Sequence, residues 1–468
     1  MRFSSTSFRL SKSGQYVLVA AGAVAVLALA GFVLTSSKAP PPVSVQAAIA
    51  EGSPDPTVAP APDAPAPIPP AVKSPPPPPP PPLPLDPEDD LRARITRALR
   101  GSTVPRPSVV IEAEGFGRVI SLEPNRSLLP ASTQKMYTAS AVIQHLGTSG
   151  HFATKVFRIG DVDLTGTLQG DLVIVGSGDP SLTKGALKNL AGAVRSAGIS
   201  TVTGNLYADE SRYDSLRSAP GWKRSWFPHE YGSLSAFAVD RNAWEDSPEF
   251  YAHPAKANLG LFRKQLGGQG VSISGSSIVG SPPGDRAFVT LHRSQPVSTM
   301  LKQVLHISDN FYTEMLTKEL GLLNGTPSTA GGLAVIKPIA TSLGASTWKP
   351  ADGSGLSYLN RDTAAGQVAF LKKAETTPVG KQLKTYMTVA CGSNTDGWYG
   401  TRLCGTPASG KVTAKLGAHT RMRSLSGYTK TASGREVWFS FIFVDIGNVN
   451  SAWEAVDRAL IEIAKFRR

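Results

Sequence analysis

At 468 residues the chain has room for two or more domains and a sizeable core. Its formal net charge of +13 fits a setting of anionic polymers or lipid headgroups at least as well as nucleic acid. Two cysteines, Cys391 and Cys404, are too few for a cysteine metal site, and their surroundings add no further ligands.

The chain opens with Arg2, Arg9 and Lys12, followed by an uncharged run from Tyr16 to Leu34 long enough to span a bilayer as a helix. Basic residues before the run, and none close behind it until Lys38, predict residues 1–15 inside the cell and the remainder outside. Two readings of 16–34 stand: a retained transmembrane anchor, or a signal peptide cleaved near Ala28-Leu29-Ala30. Export removes nucleic acid as a partner and permits a Cys391–Cys404 disulfide. Residues 35–87, rich in Pro and Ala with an unbroken run Pro75–Pro82, lack donors and apolar bulk for a core. They read as a disordered, extended polyproline II spacer.

From Asp86 the composition changes. Asp89 to Leu99 has helical spacing, and Ser108–Glu112 with Arg118–Leu122 around Glu114-Gly115 predicts a β-hairpin leading into a helix that begins at Ser132. Residues 150–285 carry short strand-like runs between Gly, Asp and Pro turns, with one helix near Ala186–Ala197, and predict a mostly β inserted domain. Helical faces return at Val297–Leu305 and Tyr312–Leu320. Strands are expected at Lys411–Leu416, Ser424–Thr431 and Arg435–Val444, then an amphipathic helix opened by a capping box at Ser451-Ala452-Trp453-Glu454. An α/β (α+β) domain built from 88–149 and 286–468, around one sheet, follows.

Three motifs lie on this frame. Ser132-Thr133-Gln134-Lys135 puts a lysine one turn after a serine, so the amine can serve as the base that a weak nucleophile needs. The same spacing recurs at Ser181–Lys184 and Ser346–Lys349, but only Ser132 is followed in order by Ser308-Asp309-Asn310 and Lys415-Leu416-Gly417. Gly405 to Lys411 mimics a phosphate loop, yet Val412 and a strand follow where Ser or Thr and a helix are needed. His306 reads as a packed helix residue. His145 and His151 lack a third ligand, so no metal and no cofactor is expected.

The ordered set resembles penicillin-binding proteins and serine β-lactamases. With Gly178-Asp179-Pro180-Ser181-Leu182, Gly221-Trp222 after Asp209-Glu210-Ser211, and Asp352 to Ser357 followed by Asn360-Arg361, the chain is similar to the D-alanyl-D-alanine carboxypeptidase/endopeptidases of the low-molecular-mass class C penicillin-binding protein family. That resemblance implies a transpeptidase-like fold with an insertion between the first two motifs. It also implies an acyl-enzyme on Ser132, with Lys135 as base, Ser308 relaying the proton, Asn310 holding substrate or Lys135, and Lys415 supplying positive charge. Backbone N–H groups of Ser132 and Ala418 are the implied oxyanion donors, and peptidoglycan peptides and β-lactams the implied partners.

The third motif departs from that pattern. Where relatives carry Lys-Thr-Gly and a further hydroxyl, this chain has Leu416 and Ala418 around Gly417, so donors to a substrate carboxylate are missing. The nearby segment Thr420-Arg421-Met422-Arg423 is basic through its two arginines, and a continuous alternation would place Lys415, Gly417, His419, Arg421 and Arg423 on one face. Either Arg421, Arg423 or His419 replaces the missing hydroxyls, or the substrate does not end in a carboxylate, or these are solvated surface charges. A non-enzymatic envelope scaffold that kept the fold is the alternative function, and a β-lactamase, disfavoured by the long insert, is a weaker one.

Overall fold

The computed structural model describes residues 85–100, 104–243, 246–392 and 398–468. The expected anchor or signal run 16–34, and all but the end of the proline-rich spacer, lie outside these residues. Among the described residues no helix is long and apolar enough to cross a membrane.

Six antiparallel strands form the main sheet in the order β10-β11-β12-β13-β1-β2: β1 (Ser108–Ala113), β2 (Gly117–Leu122), β10 (Thr388–Val389), β11 (Thr413–His419), β12 (Met422–Lys430) and β13 (Glu436–Phe443). The first and last strands meet in it, because β1 pairs with β13 in the register Val110↔Ser440 and Ile111↔Phe439. Helices cover both faces, so β1 is buried along nearly its whole length rather than alternating with solvent. Val109, Ile111, Phe439 and Phe441 join one cluster with α1 (Pro87–Leu99) and α11 (Val449–Lys465), through Leu91, Ile95, Val456 and Leu460. Val110 and Ile442 point the other way, toward Val368. The start of α11 differs from expectation: Asn448, not Ser451, is its cap, accepting from the backbone N–H groups of Asn450 and Ser451.

The helical layer on that second face is built on α2 (Lys135–Leu146), whose residues Lys135 to Ile143 are all buried. Around it lie α6 (Val297–Lys302), α7 (Asn310–Gly321), α8 (Thr329–Ser342), α9 (Ala364–Glu375) and α10 (Pro378–Tyr386). Met136, Val142, Leu316, Ile336 and Leu383 share one core there. A π-helical turn, Gln303–Ile307, continues α6 and buries His306, as expected of a packed residue. It ends on Ser308 in the left-handed region (φ 67).

Between α2 and α6 the chain forms a second, seven-stranded sheet with its own core. β3 (Ala153–Val162) pairs antiparallel with β4 (Thr167–Val175) and β9 (Ala287–Arg293). β5 (Thr201–Val202) and β6 (Leu206–Asp209) run parallel to β4, with β7 (Ser272–Ile273) and β8 (Ser277–Val279) parallel to them in turn. The segment expected as mostly β therefore has its sheet and more helix than its turns suggested: α3 (Lys184–Ser196), α4 (Pro248–Ala252) and α5 (Pro254–Gly268). Parallel strands need crossovers, and helices supply them. The sheet also continues past residue 285, because β9 pairs with β3 up to Arg293.

Candidate active site

Ser132 sits in a single 3-10 turn, Ala131–Gln134, that runs straight into α2. Ala131 is held in the left-handed region (φ 49), which turns the chain sharply before the serine. Two glycines make this packing possible. A Cβ at Gly355 would lie 2.1 Å from the Ala131 carbonyl oxygen, and one at Gly417 would lie 2.9 Å from that of Pro130 and 3.0 Å from the Ser132 nitrogen. The glycine of Lys415-Leu416-Gly417 thus lets β11 press against the serine turn. Ser424, opposite Gly417 on β12, ties the same turn down by donating to the Pro130 carbonyl at 2.7 Å.

Lys135 lies on the first turn of α2 with its ammonium fully buried. It donates to Ser132 Oγ at 3.0 Å, Asn310 Oδ1 at 2.7 Å and the Ser354 carbonyl at 2.6 Å. Burial pulls its pKa down to about 8, against the fields of Asp352, Asp309, Glu314 and Glu230. At neutral pH roughly a tenth of such an amine is free base, far more than for an exposed lysine. Lys415, buried on β11, donates to Ser308 Oγ at 2.9 Å and to the Leu416 carbonyl at 2.8 Å. Burial, then the charge of Lys135, drives its pKa well below the ordinary lysine value. The expected five, Ser132, Lys135, Ser308, Asn310 and Lys415, are thus brought together as two lysine–hydroxyl pairs side by side.

The sequence did not reveal what holds them. Asn310 Nδ2 donates to the Glu230 carbonyl at 2.9 Å, which turns its Oδ1 toward Lys135. The turn Asp352–Gly355, which entered the sequence reading only through the family resemblance, delivers the Ser354 carbonyl to Lys135. Glu314 Oε1 grips that turn by accepting from Gly353 N at 2.7 Å and Ser354 N at 2.8 Å. Trp222 Nε1 and Gln134 Nε2 bind Asp352 from two sides. One signal could have found Glu314: it lies four residues after Asn310 on α7, on the same helical face.

The third motif is rearranged relative to expectation. Residues 415–423 do not form one continuous strand. The chain reverses at Thr420-Arg421, and β11 pairs with β12 in the register Gly417↔Ser424, Ala418↔Arg423 and Leu416↔Leu425. Cross-strand partners share a face, so Arg423 lies beside Ala418 on the Leu416 face and not with Lys415. Its half-buried guanidinium donates through Nη1 to the His419 and Met422 carbonyls at 2.6 and 2.7 Å. Arg421 stands exposed in the turn at 3.4 Å from the Asp445 carbonyl, and Thr420 is exposed beside it. His419 Nε2 faces the Gly355 carbonyl at 3.1 Å, and its ring packs 4.7 Å from that of Tyr358. Leu416 packs partly against the α1/α11 cluster. Past Ala414, β11 has no partner on the β10 side among the described residues, leaving an edge at 415–419.

The other expectations resolve simply. Cys391 and Cys404 form a disulfide. Ser181 serves an Asx turn, its N–H and hydroxyl both bonded to Asp179 Oδ1, ahead of α3. Residues 405–411 lead into β11 rather than a helix.

A model of the D-Ala-D-Ala carboxypeptidase 3 (S13) family matches residues 107–249 and 250–464. The chain is 27% identical over 438 residues to a D-alanyl-D-alanine carboxypeptidase of an Actinomadura strain, covering 76% of this chain and 81% of that one. It is 26% identical over 352 residues to a carboxypeptidase of Mycobacterium tuberculosis, covering 70% and 74%. The crystal structure of penicillin binding protein 4 from Haemophilus influenzae superposes with a TM-score of 0.69 at 20% identity, over 79% of this chain and 98% of that one, and so shares the fold. With the family model spanning both sheets and all three motifs, the chain belongs to the D-Ala-D-Ala carboxypeptidase 3 (S13) family.

Proposed function

We propose that the chain is a serine-type D-Ala-D-Ala carboxypeptidase/endopeptidase that cleaves peptidoglycan stem peptides through an acyl-enzyme and is acylated by β-lactams. The observation that carries this is the Lys135 ammonium bridging Ser132 Oγ, Asn310 Oδ1 and the Ser354 carbonyl, buried and with a lowered pKa. As free amine, Lys135 takes the Ser132 proton while Oγ forms an ester bond to the substrate carbonyl. The tetrahedral oxyanion sits between the backbone N–H groups of Ser132 and Ala418. Ser308, hydrogen-bonded to Lys415, passes its proton to the departing D-Ala amine as the C–N bond breaks and takes up the proton that Lys135 accepted, so Lys135 is again a free amine. Water, activated by the same lysine, then hydrolyses the ester and frees Ser132.

Substrate enters along the open edge of β11, and Arg423 receives its terminal carboxylate in place of the hydroxyls absent at Leu416 and Ala418. Relatives support this reading in name: the Actinomadura and M. tuberculosis proteins are carboxypeptidases, and one H. influenzae structure is a complex with a β-lactam. In this scheme 88–149 and about 294–468 form the peptidase domain, with the second sheet inserted between. The run 16–34 anchors the peptidase at the cell membrane, or is cleaved to release it, and 35–87 is the spacer. The intact lysine–hydroxyl pairs speak against the scaffold alternative.

Incubation with a labelled penicillin followed by intact mass is the direct test. A covalent adduct that disappears in Ser132→Ala is expected, together with release of D-Ala from a D-Ala-D-Ala peptide. No adduct at any concentration, with no cleavage of such peptides or of muropeptides, would sink the enzyme reading.

A further inference from the structure

The stretch between β6 and α5 reaches from the second sheet to the active site at three points. Trp222 Nε1 donates to Asp352 Oδ2 at 2.8 Å, the Glu230 carbonyl accepts from Asn310 at 2.9 Å, and Arg241 Nη2 lies 3.1 Å from Asp309 Oδ2. The third contact is built at a conformational cost. Asp240, Arg241 and Asn242 are three consecutive non-glycine residues in the left-handed region, with φ of 46, 63 and 52°. Such a run persists only where its surroundings over-determine it.

Those surroundings are plain. Asn242 is fully buried, and its Oδ1 accepts from Val239 N at 3.2 Å and from Asn258 Nδ2 of α5 at 2.8 Å. Its Nδ2 donates to the Ser233 carbonyl at 2.8 Å, and Asp240 N donates to that of Leu182 at 2.8 Å. The loop is therefore bolted to the core of the second sheet, and Arg241 projects from it onto Asp309. The Asp309 side chain is only 3% exposed, and its two oxygens have separate duties. Oδ1 caps α7 by accepting from Tyr312 N at 3.0 Å, while Oδ2 takes the guanidinium. With both oxygens fixed, the residues on either side are fixed too: Ser308, left-handed and facing Lys415, and Asn310, facing Lys135.

We propose that Arg241 is a positioning residue for acylation, delivered by the inserted segment to lock the Ser308-Asp309-Asn310 turn. The strained loop is the device that aims it. The inserted segment then has a role in catalysis through this turn, independent of anything it binds. The proposal rests on the acyl-transfer reading above, because the group it positions acts in that reaction.

The test compares Arg241→Ala, Arg241→Lys, Asn242→Ala and the Arg241→Ala/Asn242→Ala double variant with the unmodified chain. Penicillin acylation is followed by stopped-flow, and amide exchange at Tyr312 is followed in parallel. Arg241→Ala is expected to slow the covalent step roughly 10–100-fold while the dissociation constant before it moves by less than about threefold. Arg241→Lys should recover most of the rate. Exchange at Tyr312 should rise in Arg241→Ala and not in Arg241→Lys, and Asn242→Ala should cost nothing further once Arg241 is gone. A folded Arg241→Ala that acylates within about twofold of the unmodified chain overturns the proposal. So do losses from the two sites that simply multiply. If the unmodified chain forms no adduct, the acyl-transfer reading has failed instead, and unchanged exchange at Tyr312 would then sink the positioning role on its own.

Discussion

Replacing Arg423 by alanine should separate substrates by whether they end in a carboxylate. Arg423 stands across the ladder from Ala418 and on the same face as Leu416, so a guanidinium occupies the side of β11 from which two hydroxyls are missing. A hydrogen bond to a charged group contributes about 1.5–3 kcal/mol, and a desolvated arginine–carboxylate contact falls in that range. Loss of that contact translates into a roughly 10–100-fold fall in kcat/KM for peptides ending in free D-Ala and for penicillin. The same variant should leave cleavage of a D-Ala-D-Ala amide, which has no terminal charge, within about threefold.

Arg423→Lys should recover only part of the loss, because a point charge cannot reproduce the planar fork. The assay is D-Ala release, or its amide, from paired peptides that differ only at the terminus. Equal losses for both peptides would mean that Arg423 merely supports the hairpin through its bonds to the His419 and Met422 carbonyls, and the assignment would be wrong.

Leu416→Thr puts a hydroxyl on that same face. It should raise acylation up to about tenfold by adding a donor and cost about 1–2 kcal/mol in a urea melt, since Leu416 packs against the α1/α11 cluster; unchanged acylation refutes the role given to position 416. Acylation should climb with pH and level off near 8, where Lys135 loses its proton. A rate that is flat between pH 6 and 9 would remove Lys135 as the base. Burial and then the field of Asp352 push the Glu314 carboxyl up to about 8, so the folded state keeps a proton that the unfolded state releases near 4.5. Its stabilising contribution is present below 4.5 and is lost as pH rises toward 8, so Glu314→Gln should gain on the parent by a few kcal/mol, in order of magnitude, between pH 5 and pH 8. Urea midpoints for the pair at both pH values measure this, and a difference independent of pH refutes it.

What was legible in the sequence was side-chain chemistry in chain order; what was not was anything done by the backbone. Ser132, Lys135, Ser308, Asn310 and Lys415 could be named because only certain residue types can attack, accept a proton or carry charge. The carbonyls of Ser354 and Glu230 escaped notice because every residue has one, and their use is decided by where the turn goes. Antiparallel hairpins such as β1–β2 and β12–β13 announce themselves by alternation and a turn. Of the parallel strands, β7 and β8 run two and three residues and present too little period to read. α8 was hidden by Gly331, Gly332 and Pro338, which read as breakers but lie within the helix. The face of Arg423 was misread for one reason: alternation was carried through Thr420-Arg421, where the chain turns.

That same turn explains why the third motif can vary where it does. Lys415 is held by Ser308 and by a buried site, and Gly417 by the Ser132 and Pro130 backbone, which leaves no room for a Cβ. A side chain at Gly417 would displace the Ser132 turn, and loss of Lys415 would unpair Ser308. Leu416 and Ala418 lie on the opposite face of the strand, Leu416 half-buried against the α1/α11 cluster and Ala418 exposed, both turned away from the Ser132 turn. Substitution there leaves the geometry of the two lysine–hydroxyl pairs in place. Because β12 returns directly beside them, Arg423 stands across from Ala418, which is what the proposed carboxylate role for it rests on. Under the proposed scheme the departure at 416 and 418 would affect substrate recognition, on the side of β11 that faces away from the Ser132 turn.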